Sequence, residues 1–212
     1  DGDTNIVRDV TLVDDLTLSA EFAINTYNVV LTAENGVVSG AGEYEHGTEI
    51  TIEVTPNAHY HFVRWSDDNT ESSRKIKVTS DLTLHALCSI DEFEVVGEAI
   101  NGDILGIGKY GYGTTIELSA VAHEGYHFVR WSDGVTDATR TLTVVENVSI
   151  SAEFAINVYN VTLSAENGAV TGAGEYNHGD IAQIVATPNE GYHFVAWSDG
   201  DINPIRDISV VS

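Results

Sequence analysis

The chain has 212 residues, with 33 Asp plus Glu against 9 Lys plus Arg and a formal net charge of −24. That balance argues against nucleic acid or an anionic membrane as partner, since both call for a basic face. No apolar run approaches the ~20 residues of a membrane-spanning helix, and no stretch reads as a signal peptide. With no methionine in the sequence, residue 1 is not a translation start, so the chain is expected to be a processed or excised part of something longer.

Taken in order, the chain begins inside a repeat. Asp1-Gly2-Asp3 stands in the register of Asp67, of Asp133-Gly134 and of Asp199-Gly200-Asp201. The octet Tyr60-His61-Phe62-Val63-Arg64-Trp65-Ser66-Asp67 returns from Tyr126 and again from Tyr192, 66 residues apart each time. A fixed period of this size marks a tandem array. Residues 1–26 therefore read as the C-terminal part of a preceding repeat, 27–92 and 93–158 as whole repeats, and 159–212 as a repeat lacking its last strand. A unit of this size buries only about 60% of its unfolded surface, so each is expected to be marginal alone.

Within the first whole repeat the apolar period is two. Ile50, Ile52 and Val54 alternate with polar residues, as do Leu82, Leu84 and Ala86. This predicts strands near 27–33, 37–45, 48–55, 60–66, 73–79 and 82–88. The expected fold class is all-β: a tandem array of small antiparallel modules, about six strands each, meandering and forming an elongated rod. Asn35-Gly36, Asn101-Gly102 and Asn167-Gly168 carry a hairpin signature. Gly47, Gly113 and Gly179 recur at a second turn, where a positive φ is expected. Strict alternation splits the octet between two faces, so that strand is either covered on both sides or bulged.

The octets hold all three tryptophans, Trp65, Trp131 and Trp197. Each ring can bury about 150–250 Å², an upper bound of roughly 4–6 kcal/mol at ~25 cal/mol per Å². The octet is therefore read as each repeat's central strand. The joins around Ile24, Ile90 and Ile156 are short and not Gly/Ser-rich, which predicts stiff boundaries with those isoleucines packed into them. Cys88 occupies the register of Phe22 and Phe154, so it reads as a buried core substitute.

The combined pattern resembles a known family. Thr187-Pro188-Asn189-Glu190-Gly191-Tyr192, Trp197-Ser198-Asp199-Gly200 and Leu16-Thr17-Leu18-Ser19-Ala20-Glu21-Phe22 look like the divergent internalin-type B-repeats of bacterial surface proteins, related to the Listeria–Bacteroides repeat. The resemblance spans essentially the whole chain. It implies extracellular, cell-surface or secreted tandem modules acting as stalks and adhesive spacers, with no catalytic residues. It also implies a β-grasp-like module as the alternative fold, although no stretch here carries a helical stripe.

Four arginines, Arg8, Arg74, Arg140 and Arg206, keep the 66-residue register and follow each Trp-Ser-Asp by seven residues. They are expected to stack on the tryptophan or to pair with Asp67, Asp133 and Asp199 as structural repeat positions. An anion or sugar-acid contact is the functional alternative. His61, His127 and His193 read as packing residues beside tryptophan rather than metal ligands. Asp1-Gly2-Asp3-Thr4-Asn5 and Asp199-Gly200-Asp201-Ile202-Asn203 open like a calcium loop, but Leu12 and Val210 stand where the closing glutamate belongs. No metal, cofactor or enzymatic activity is expected.

The sequence thus points to a non-catalytic extracellular spacer whose first partners are its neighbouring repeats. The alternative is a tandem binding module presenting exposed aromatics to a host or matrix protein or glycan. A further alternative is head-to-tail self-association into a filament, residues 15–26 of one chain completing the last repeat of another. An arbitrary cut through a longer array explains the same ends.

Overall fold

The structure, a computed structural model, describes Val7 and residues 9–211. Arg8 and the Asp1–Asn5 turn singled out above lie outside the described residues. The chain falls into two compact units, Asp1–Ser89 and Ile90–Ser212. No helix forms among the described residues, and every regular element is a strand.

The first unit holds β1 (Thr26–Ala33), β2 (Gly36–Ser39), β3 (Gly42–Glu45), β4 (Glu49–Pro56), β5 (Tyr60–Trp65), β6 (Ser73–Lys77) and β7 (Leu82–Ile90). These form two sheets, of order β3-β1-β7-β5 and β2-β4-β6. Successive strands thus alternate between the sheets without exception, and each connection carries the chain from one layer to the other. Alternate residues of each strand face inward: Val29 and Leu31 of β1, Leu84, Ala86 and Cys88 of β7, and Trp65 of β5 meet Ile50, Ile52 and Val54 of β4 in one core.

The second unit repeats this with β8 (Glu92–Ala99), β9 (Gly102–Leu105), β10 (Gly108–Gly111), β11 (Thr114–Ala122), β12 (Tyr126–Trp131), β13 (Thr139–Val144) and β14 (Val148–Ile156). Its sheets run β10-β8-β14-β12 and β13-β11-β9. A third, shorter set follows: β15 (Val158–Val161), β16 (Gly168–Thr171), β17 (Gly174–Asn177), β18 (Ile181–Pro188) and β19 (Ile205–Ser209). Here β15 pairs β17, β18 lies between β16 and β19, and residues 192–197 form no strand.

The module differs from the expected antiparallel meander in three respects. It has seven strands, because 37–45 divides at Gly40-Ala41. The first and last strands lie side by side and parallel, Val29 opposite Leu82 and Val95 opposite Val148. Finally, the Asn-Gly pairs are not hairpins. A two-residue hairpin of that type requires a positive φ at both central residues, whereas Asn35 has one (56°) and Gly36 does not. The turn instead swings the chain from one sheet to the other. A second sheet takes the covering role that a helix plays in the β-grasp alternative.

The split at Gly40 has a steric cause. At the matching Gly106, φ is +88° and an added Cβ would sit 2.1 Å from the Glu117 carbonyl oxygen, so the corner passes too close to backbone for any side chain. Tyr110 Oη donates to the Gly106 carbonyl at 2.9 Å and fixes the corner, as Tyr176 does to Gly172. The isoleucines of the joins are less buried than expected: Ile24 and Ile90 are exposed, although Ile90 touches Gly111.

Cys88 is buried, and burial pushes its thiol pKa up. An added Cβ on Gly36 would sit 3.1 Å from its Sγ, and one on the matching Gly102 would sit 2.4 Å from the Phe154 ring that covers it. Gly106→Ala and Gly134→Ala separate steric from conformational cost. Both glycines have positive φ, but a Cβ at Gly134 would meet nothing within 4 Å. Gly134→Ala is expected to lower stability by about 1 kcal/mol and Gly106→Ala by at least twice that, read from denaturant midpoints.

Candidate functional site

The feature common to the three modules is the loop that leaves the octet. In β12 the antiparallel pairing with β14 shifts register between Phe128 and Arg130. This bulge re-aims the strand, so Phe128 and Trp131, which strict alternation would separate, both face the core with ring centroids 5.6 Å apart. Arg130 is left on the outer face, its Nε donating to Glu153 Oε2 at 2.7 Å. His61, His127 and His193 are exposed, rather than packed beside tryptophan as expected. His127 instead meets Asn157 Oδ1 through Nδ1 at 2.8 Å.

Trp65 and Trp131 are 0% exposed. A buried indole N–H must find an acceptor. Trp65 Nε1 donates to the Glu71 carbonyl at 3.0 Å, Trp131 Nε1 to Asp137 at 2.9 Å and Trp197 Nε1 to Asn203 at 2.8 Å. The acceptor is six residues on in each case, so the ring ties down the far side of its own loop. The next residue anchors the near side: the Ser132 N–H donates to the Ser151 carbonyl, and its Oγ accepts from the Ser151 N–H at 3.1 Å.

The aspartate and the arginine close the loop. Arg74 pairs with Asp67, Arg140 with Asp133 at 2.5 Å and Arg206 with Asp199 at 2.5 Å. The second carboxylate oxygen caps backbone, Asp67 Oδ1 accepting from the Asn69 N–H and Asp133 Oδ1 from the Val135 N–H. The arginine hydrogen bond is the main cause that holds the Asp67, Asp133 and Asp199 carboxyls below their usual pKa. The arginine side chains are largely covered, 14%, 19% and 22% exposed, while the aspartates are about half open. Among the described residues, Arg206 alone of these arginines lies over its tryptophan, 5.9 Å from the ring centroid, and it also reaches Asp201 at 3.2 Å. In the Asp199–Asn203 turn, Asp201 Oδ1 accepts from both the backbone and side-chain N–H of Asn203.

Within the second unit, sequence reasoning missed a joint between the second and third modules. The Asn157 N–H donates to the Gly125 carbonyl at 2.8 Å, and the His178 N–H donates to Asn157 at 2.8 Å. The His178 ring lies against Gly125, where an added Cβ would stand 2.3 Å from its Cδ2. The sequence signal is the glycine just before the octet, Gly125, but only the fold brings His178 to it.

These nodes hold loops and joints in place. The ion pairs bring each arginine its counter-charge from within the same loop, and the tryptophans show no ring face to solvent in the two complete modules.

Such modules are all-β repeats in tandem, each built around a tryptophan-anchored loop. The chain belongs to the divergent InlB B-repeat domain family, whose pattern matches residues 27–87, 95–158 and 159–209. It is 28% identical, over 86% of its length, to a protein of Evansella cellulosilytica provisionally named a Gly-rich membrane protein. It is also 28% identical, over 89% of its length, to a second protein of that organism, provisionally named a membrane protein. The chain spans 22% and 31% of those relatives. Among solved structures, it is similar to the Bacillus anthracis TIE protein, at 12% identity and a TM-score of 0.48, covering 88% of this chain and 48% of that one.

Arg140→Ala tests the loop clamp. A half-open pair contributes ~0–1 kcal/mol, and truncating the covered side chain also loses packing. A lowered thermal midpoint is expected at neutral pH. Because the folded carboxyl of Asp133 is depressed, its stabilisation is complete above the ordinary carboxylate pKa of ~4 and is lost as pH falls through the lower folded value. The variant should therefore lose less stability than the parent over that acid range, as melts across a pH series would read.

Proposed function

We propose that the chain is a non-catalytic spacer segment of a bacterial surface protein, extracellular and held together by its own neighbouring modules. The observation that carries this reading is the complete burial of Trp65 and Trp131. The repeat places its largest aromatic side chain in the core of each whole module, where it contributes stability and offers no ring to a ligand. The clamp of Asp67 and Arg74, repeated at Asp133 and Arg140 and at Asp199 and Arg206, acts as a structural repeat position in the same way. The Gly125–Asn157–His178 joint supports the reading further, since a spacer requires defined junctions rather than free linkers. Membership of the B-repeat family and the names of the Evansella relatives support a cell-surface location.

Quenching of tryptophan fluorescence by acrylamide is the test. In dilute solution the Trp197→Phe variant should show emission that resists the quencher, because only Trp65 and Trp131 remain. Saturable binding to a glycan array or a matrix-protein panel, accompanied by a change in that emission, would overturn the spacer reading in favour of a binding module.

A further inference from the structure

In both complete modules, the strand by which the chain enters and the strand by which it leaves are neighbours. β1 and β7 pair in parallel from Val29 opposite Leu82 to Ala33 opposite Ala86. β8 and β14 do the same from Val95 opposite Val148 to Ala99 opposite Ala152. A single residue, Asp91, separates β7 from β8, and Asn157 alone separates β14 from β15. Tension along the polypeptide therefore enters a module at the start of its first strand and leaves at the end of its last.

The direction of that load follows from the pairing. Because the strands are parallel, the start of β1 and the end of β7 lie at opposite ends of their shared ladder. Tension draws β1 toward its N-terminus and β7 toward its C-terminus, along one axis. All the ladder's hydrogen bonds then bear load together and must break together. Two strands pulled apart from the same end would instead open one bond at a time. The sheet offers no bypass, since β3 is bonded to β1 and β5 to β7, on the outer sides of the pair.

Further links reinforce this seam. Asp81 Oδ1 accepts from the Asn28 N–H at 2.8 Å, one step ahead of the ladder, so it is the first bond the load meets on β1. In the second module Asn147 Oδ1 accepts from the Glu94 N–H at 2.8 Å. Two different side chains thus supply the same acceptor at the same place. Thr32 Oγ1 and His85 Nδ1, opposite each other across the seam, meet at 3.0 Å. On the inner face Val29, Leu31, Leu84 and Ala86 are buried, which keeps that side of the seam dry, where a hydrogen bond is stronger than in water.

We infer that the β1–β7 and β8–β14 ladders are shear clamps, by which each complete module carries tension along the chain without opening. The purpose of the clamp rests on the spacer reading, since a surface spacer transmits pull between what it joins. The clamp itself is a property of the strand order.

Single-molecule force spectroscopy on the full 212-residue chain is the test. Held by its two termini, the chain should give two abrupt high-force steps. Each should lengthen it by on the order of 200 Å, the reach of one 66-residue repeat. The same chain carrying Glu34→Cys and Ile90→Cys is then held through those two thiols, both at exposed positions, while the buried Cys88 stays uncoupled. Glu34 follows β1 and Ile90 ends β7, so this load parts the same two strands from one end. The first module should now open at a several-fold lower force, although its strand pairing is the same. Ile100→Cys with Ile156→Cys repeats the comparison in the second module. Equal opening forces in the two directions would overturn the clamp, as would smooth lengthening of the end-held chain without steps. A ligand that displaced the spacer reading would leave these forces as they are, so the two readings fail separately.

Discussion

Everything in a module depends on where one indole N–H can find its acceptor. The ring fills the space between the two sheets, and its nitrogen reaches only the loop that starts beside it. That single requirement fixes the loop's length at the six residues from tryptophan to acceptor. With the loop held, the aspartate two residues on can both cap backbone and face the arginine of the next strand. The ion pair accompanies the indole hydrogen bond in all three modules, including the third, where the ring is partly open. Exposed pairs of this kind contribute little by themselves, so the loop's definition rests on the ring and its hydrogen bond.

The third module shows the same constraint with less around it. Its indole still donates to Asn203, and its arginine still meets Asp199. The octet before it nevertheless has no strand, and the ring is partly open. Local hydrogen bonds keep the loop's shape, whereas burial of the ring depends on the strand at the sheet's centre.

Much of this was legible in the sequence because the copies label one another. The 66-residue register exposed the tryptophans, the Asp–Arg spacing and the replacement of phenylalanine by Cys88 without any propensity argument. Strand positions followed from alternation, since each strand has one core face. The topology did not follow. An Asn-Gly pair between apolar runs has the same local chemistry whether the runs lie side by side or face each other across a core. Only the long-range partners decide that. The bulge at Phe128–Arg130 left a trace, in that aromatic residues fell on both faces of one strand, yet its position needed the partner strand. The joint through His178 left only the glycine before Tyr126, and nothing local pointed from there to a residue 53 positions away.

The parallel pairing of the first and last strands has a consequence for how a module comes into being. The strand made last lies at the centre of its sheet, hydrogen-bonded on both edges, with partners as far apart as Asn28 and Asp81, 53 residues. A ribosome therefore releases almost a whole module before its four-stranded sheet can close. Sheet assembly cannot keep pace with elongation residue by residue; it waits, and then proceeds as one late, non-local event. Vectorial synthesis along such an array advances in steps of one module, each nascent copy remaining open until its own final strand arrives.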